Sequence, residues 1–284
     1  PILVVAPWLS ARTQGILAKD GINYLDLTGN IRIETASSPM IFLSSQGATR
    51  NPATAPRSKA SLRGPKAGRL FRFLADVTPP YGVTQIASAT GLAAGYVSRL
   101  LETMDDEALI ERSRRGQVLS TATTSILRRW AEIYGVFKTN RAASFVAPQG
   151  PANLLGHFDD PGIEGNVAVT GSFAAVRLAP VAGPALLVAY SNKPDAVSAQ
   201  LGLLPAERGA NVVLLGPFDE VVWERTTVDN GVTYVTPSQV AVDCLTGNGR
   251  MPAEGEALLA WMEQNESRWR LLSIDAIRVD GAGT

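Results

Sequence analysis

The 284-residue sequence holds one cysteine, Cys244, and one histidine, His157. A single cysteine excludes an intrachain disulfide framework and a cysteine zinc cluster. A single histidine removes polyhistidine metal sites and any triad that needs a second imidazole. Both counts fit a reducing, cytoplasmic setting. No apolar run approaches the roughly 18 residues that a bilayer-crossing helix needs, so no membrane span is expected. The short apolar run Ile2–Ala6 has no basic region before it and is too short for a secretory signal. It is expected to be a buried strand. A start at Pro1 rather than Met suggests that residues are missing ahead of it.

Catalytic groupings are sparse as well. Asp26 and Glu34 flank a strand in the manner of a metal-dependent nuclease, but Ala36 stands where such an enzyme would place a lysine. Gly171-Ser172 follows a strand, yet the next acid is Asp195, too far on for a nucleotidyltransferase metal pair. Gly247-Asn248-Gly249-Arg250 lacks the lysine and the glycine spacing of a phosphate loop. No catalytic residue, metal or cofactor is therefore expected. A DNA-processing enzyme with an accessory DNA-binding domain is the disfavoured alternative.

Acids are also missing from one stretch. None occurs between Glu34 and Asp76, where Arg50, Arg57, Lys59, Arg63, Lys66, Arg69 and Arg72 fall. The net charge of zero hides this asymmetry. Residues 1–145 carry 18 lysines and arginines against 10 acids, and residues 146–284 carry 8 against 16. Such a split suggests that the first half faces a polyanion.

What is present reads as α+β. Residues 1–45 pattern as a small α/β unit: a strand, a helix over Ala11–Asp20 capped by Ser10 and stopped by Gly21, a hairpin around Thr28-Gly29, and a strand at Met40–Leu43. Residues 46–65 are rich in Gly, Pro, Ser and Thr and read as a basic linker or arm. Leu70, Phe73, Leu74 and Val77 predict a first helix from Ala67, ended by Pro79-Pro80. A second runs from Thr84 to Thr90, and a third from Ala93 to about Glu107 with Val97, Leu100, Leu101 and Met104 inward. Residues 109–112 and 117–120 flank Ser113-Arg114-Arg115-Gly116 as a hairpin, and Ile126–Phe137 reads as one helix. Beyond residue 145 strands and helices alternate, with strands expected at Val167–Val169, Ala185–Tyr190, Asn211–Leu215 and Val221–Thr227.

Three helices and a basic hairpin make a winged helix-turn-helix at residues 66–145. Ala87, Gly91 and Val97 supply the small contact residue, the turn residue tolerant of positive φ and the inward apolar residue, with Ile86 and Leu100 completing the core. Gly95-Tyr96-Val97-Ser98-Arg99-Leu100-Leu101 followed by Leu109-Ile110-Glu111-Arg112 resembles the recognition helix and wing of MarR-like regulators. The resemblance implies that Ala94, Gly95, Tyr96, Ser98, Arg99 and Thr103 face the major groove, with Arg99 able to read guanine. It also implies that Thr84 and Gln85 hold phosphate through helix-start N–H groups, and that Arg112, Arg114, Arg115 and Gln117 reach DNA from the wing. Arg63, Lys66 and Arg69 would contribute from the arm and first helix. The competing use of Arg99 is an ion pair with Glu102 or Glu107.

Residues 166–175, containing Val169-Thr170-Gly171-Ser172, resemble the threonine-glycine stretch of AbiE-type antitoxins. Residues 239–254, with Gln239, Asp243, Leu245, Gly249-Arg250 and Glu254, resemble the same family's C-terminal segment. That resemblance implies a C-terminal α/β antitoxin domain at residues 146–284, an autoregulatory role and a protein toxin as partner. The expectations are thus a sequence-specific duplex-DNA-binding transcriptional regulator, a homodimer on two half-sites, and an antitoxin-like autorepressor. The alternative is a ligand-sensing regulator whose C-terminal domain binds a metabolite.

Overall fold

A computed structural model describes residues 2–35, 40–49 and 61–277. The chain divides into two compact units, Pro1–Lys59 and Ala60–Thr284, and its fold is α+β.

The first unit contains β1 (Leu3–Ala6), α1 (Ala11–Lys19), β2 (Asn23–Asp26), β3 (Ile31–Thr35) and β4 (Ile41–Ser45). The sheet order is β1-β2-β3-β4, with β1 parallel to β2 and the other pairs antiparallel. Ser10 caps α1 by accepting the Thr13 N–H at 3.1 Å. Asp26 organises the turn after β2. Its carboxylate accepts from the backbone N–H of Leu9 (2.8 Å), Thr28 (2.9 Å) and Asn30 (3.1 Å), and from the side chains of Thr28 (2.7 Å) and Asn30 (2.8 Å). Burial alone would raise its pKa, but these donors outweigh it and hold the carboxyl well below the usual range. Asp26 thus ties the segment before α1 to the turn after β2. The strand expected to be buried is not: Leu3 and Val5 of β1 are 47% and 60% exposed.

The second unit opens with α2 (Pro65–Asp76), α3 (Val83–Thr90) and α4 (Ala94–Asp106), then the hairpin β5 (Ile110–Arg112) and β6 (Val118–Thr121). Next come α5 (Thr123–Ala131) and α6 (Val136–Thr139), followed by β7 (Arg141–Val146), β8 (Val167–Thr170), α7 (Gly171–Ala175), β9 (Leu187–Ser191), α8 (Pro194–Gln200), β10 (Leu204–Pro205) and β11 (Val212–Gly216). The unit ends with β12 (Thr227–Asp229), β13 (Val232–Tyr234), α9 (Pro237–Leu245) and α10 (Met251–Gln264). Seven strands form one mixed sheet ordered β10-β7-β11-β9-β8-β13-β12. Its central strands β8 and β9 are buried along their whole length, as strands covered on both faces are.

Two expected elements differ. The helix predicted over Ile126–Phe137 is broken, because Gly135 adopts an extended conformation and α6 starts anew. The strand predicted over Val221–Thr227 is a 3-10 turn, Glu220–Trp223. There Asp219 accepts the Val221 N–H at 2.9 Å, and the buried Arg72 guanidinium donates to the carbonyls of Val221 and Glu224. These contacts hold the segment as a turn, and the strand begins only at Thr227.

One core runs through the whole second unit, from Leu62 to Met262. At its centre is α9, where Ser238 to Cys244 are all buried. It packs against α2, α5 and α6 of the first half of the unit and against β8, α7 and α10 of the second. α10 approaches so closely that a Cβ on Gly255 would lie 2.8 Å from the Leu245 backbone nitrogen. Within α9 the fully buried Asp243 accepts hydrogen bonds from Thr170 (2.6 Å), Tyr134 (2.8 Å), Tyr190 (2.9 Å) and Gln239 (2.9 Å). Asn140 in turn donates to the Tyr134 hydroxyl at 2.8 Å. Desolvation pushes the Asp243 carboxyl up from 3.8 to about 6, although the four donors oppose it.

This network has a pH signature. A carboxyl whose folded pKa is raised holds its proton better folded than unfolded, so its contribution falls as pH rises from about 4 to about 6. The expected loss over that window is at most about 3 kcal/mol. Asp243→Asn should lower stability at every pH yet abolish this slope. Urea unfolding at half-unit pH steps checks it, and identical slopes in the two proteins would refute the assignment.

Candidate nucleic-acid interface

α3 begins at Gly82, whose N–H is held by the Gln85 side chain at 2.8 Å, and its first-turn N–H groups face outward as helix starts do. It ends where Thr90 donates to the Ile86 carbonyl at 2.7 Å. Gly91 then takes φ +66°, a left-handed conformation that glycine adopts without a Cβ penalty. The turn delivers α4 with Val97, Leu100, Leu101 and Met104 fully buried where α4 packs on α3 and β5, and Ile86 closing the small core.

The outer face of α4 carries exposed Ala94, Gly95 and Arg99, with Tyr96 and Ser98 half-buried. Burial raises the Tyr96 phenol above its ordinary value, and the neighbouring Arg99 charge opposes the rise. Thr103 departs from the expectation. It is buried, and its hydroxyl donates to the Arg99 carbonyl at 3.2 Å, so it braces the helix from within. The competing ion pair for Arg99 is absent among the described residues. Glu107 is instead bound by Arg129 at 2.8 Å.

The wing is an antiparallel hairpin with a register shift between Glu111 and Arg112. Tyr81 extends it through backbone hydrogen bonds with Val118 of 3.0 and 3.3 Å. At the tip Gly116 takes φ +85°, and Ser113 accepts the Gln117 N–H at 3.1 Å. Arg112 folds back, with Nε 3.4 Å from the Gly116 carbonyl. Arg114, Arg115 and Gln117 stay exposed, and the two arginines enter no ion pair among the described residues. Thr84 and Gln85 are exposed at the start of α3, as are Arg63 and Lys66 at the start of α2.

The basic stretch preceding Asp76 divides differently from the expectation. Arg50, Arg57 and Lys59 lie outside the described residues. Arg69 does not face a phosphate: its guanidinium chelates Asp219 at 2.7 and 2.9 Å and donates to the Thr90 carbonyl at 3.1 Å. Arg72 is fully buried, 3.4 Å from Asp76, and Arg225 also pairs with that carboxylate. The Arg69–Asp219 and Asp76–Arg225 pairs join residues about 150 positions apart, and no local signal in the sequence announces them. Among the described residues no helix is long and apolar enough to cross a membrane, and no cluster of three or more His, Cys, Asp or Glu could hold a metal.

Residues 66–114 match the IclR helix-turn-helix domain. The match starts in the first turn of α2 and ends at the wing tip, spanning the elements built above. It supports a DNA-binding transcriptional regulator of the winged helix-turn-helix class. No curated protein and no solved structure matches the chain.

If Arg114 and Arg115 each touch a phosphate, replacing both with alanine should lower the log–log salt slope of DNA binding by about 2. Anisotropy titrations across a salt series measure it. An unchanged slope would remove the wing tip from the interface.

Proposed function

We propose that the chain is a sequence-specific DNA-binding transcriptional regulator that inserts the first half of α4 into the major groove. One observation carries this reading: Arg99 on α4 and Arg114 and Arg115 at the wing tip enter no ion pair among the described residues, while Arg69 and Arg72 of α2 are tied to acids and carbonyls. Arg99 reads a base edge, Ser98 and the N–H groups at Thr84 and Gln85 hold backbone phosphates, and Arg114 and Arg115 reach the flanking backbone. Arg63 and Lys66, exposed at the start of α2, add phosphate contacts. One such module reads a short half-site, so the chain works as a homodimer on two of them. It performs no catalysis.

The acidic residues 146–284 make a poor DNA surface, since like charges repel phosphate. That half faces a protein in the antitoxin-like reading. The resemblance of residues 166–175 and 239–254 supports it, and their Thr170, Gln239 and Asp243 meet in a single buried network. In this reading the buried network builds the domain, and the acidic outer surface around it meets the toxin.

Genome-wide recovery of the bound DNA identifies the site and the regulated genes. On that site Arg99→Ala should cost about 1–3 kcal/mol, and less on random duplex. Equal losses on both would reduce Arg99 to a phosphate contact, and undiminished binding would take α4 out of the groove.

A further inference from the structure

The sheet of the first unit has two faces of opposite character, and its register assigns each side chain to one of them. Val5 pairs with Leu25, Leu25 with Ile31, Ile33 with Leu43 and Thr35 with Ile41, and paired residues point to the same side. Leu3, two residues before Val5, joins them. The opposite face carries Tyr24 and Asp26, both buried, and Asp26 is bonded to the backbone that leads into α1. The apolar face is open among the described residues. Leu3 and Val5 of β1 and Ile41 and Leu43 of β4 are 47–60% exposed, and Leu25, Ile31 and Ile33 between them are only half-buried.

The chemistry of this face narrows what can cover it. Its other described residues include Asn23, Thr35 and Ser45, and no charged side chain lies on it among the described residues. Arg32 and Glu34 lie on the opposite face, with their pairing partners Tyr24 and Phe42. A charged partner would lose solvation here and gain nothing in return, so the occupant must itself be flat and uncharged. The face meets that description, which makes it complementary to itself.

Its size and layout fit the same occupant. Half of four aliphatic side chains and less of three more expose roughly 500 Å², near the top of what a monomer leaves open. Two such faces pressed together bury about 1,000 Å², the lower bound for a specific interface. The most exposed residues lie on β1 and β4, the outer strands of the order β1-β2-β3-β4. A twofold axis along the strands therefore lays β1 of one copy over β4 of the other, as in an aligned sandwich.

We propose that this face is an interface between two copies of the chain, with Leu3 and Val5 of one copy packed on Ile41 and Leu43 of the other. The interface stands on the first unit alone. Its use, holding two winged helices on two half-sites, rests on the DNA-binding reading above.

Sedimentation velocity of the full chain, from about 1 to about 100 μM, should show a monomer–dimer equilibrium. Val5→Asp combined with Leu43→Asp should raise the dimer Kd at least about a hundredfold. Phe42→Asp, on the same strand but the opposite face, should leave it within about twofold. Far-UV circular dichroism checks that each variant folds. Carbene footprinting of the unaltered chain needs no variant: labelling of Leu3, Val5, Ile41 and Leu43 should fall as the dimer forms. A monomer throughout, a dimer that survives the double substitution, an equal loss in Phe42→Asp, or labelling unchanged by assembly would each overturn the interface. Labelling already low in the monomer would overturn it too, because another segment of the chain would then cover the face. On DNA the double variant should still bind one half-site and lose the gain that the unaltered chain draws from the second. An undiminished gain would refute that use. Absence of DNA binding by either protein, beside an intact dimer, would instead sink the DNA-binding reading and leave the interface standing.

Discussion

The buried carboxylate of Asp243 constrains this molecule more than any other single group. A carboxyl group in the last turn of a helix buried on every side is tolerated only if its lone pairs are filled, because the interior cannot solvate it. The four side chains that fill them come from four places: the end of β8, β9, the segment after α5, and α9 itself. Each must reach the same point to within a few tenths of an ångström. The winged-helix part and the sheet are therefore joined through α9, and the core is continuous across them.

The arginines show how one residue type serves two ends. Arg72 and Arg270 are buried struts. Arg72 binds two carbonyls of the Val221–Arg225 segment, and Arg270 donates to the Val77 carbonyl at 2.8 Å and to Thr121 at 3.0 Å. Arg99, Arg114 and Arg115 project into solvent and enter no ion pair among the described residues. A charge count treats both kinds alike, so the excess of base in residues 1–145 overstates the surface that can meet a polyanion.

In the first unit Asp26 plays a part parallel to that of Asp243, with opposite electrostatics. Short backbone and side-chain donors surround it, and its carboxyl is stabilised as the anion. The Asp-Leu-Thr-Gly-Asn run at residues 26–30 is thus a folding device. The Asn30 side chain extends it by accepting the Gly47 N–H at 2.8 Å.

The sequence by itself determined whatever depends on neighbours within a few residues. The helical spacing of Leu70, Leu74, Val97, Leu100, Leu101 and Met104, the positive-φ turn at Gly91 and the cap at Ser10 all appear where local periodicity and backbone sterics put them. So does the exposed half of the proposed interface, because a residue opposite an apolar stripe on a helix faces outward. Only the tertiary structure decided which polar groups are spent inside. Thr103 turned inward, Arg69 found Asp219, and Val221 gave up its strand to Arg72. Those outcomes depend on partners about 150 residues away or on the depth of a groove between helices. Pairing at that range is set by how whole elements pack, and no window of sequence carries it.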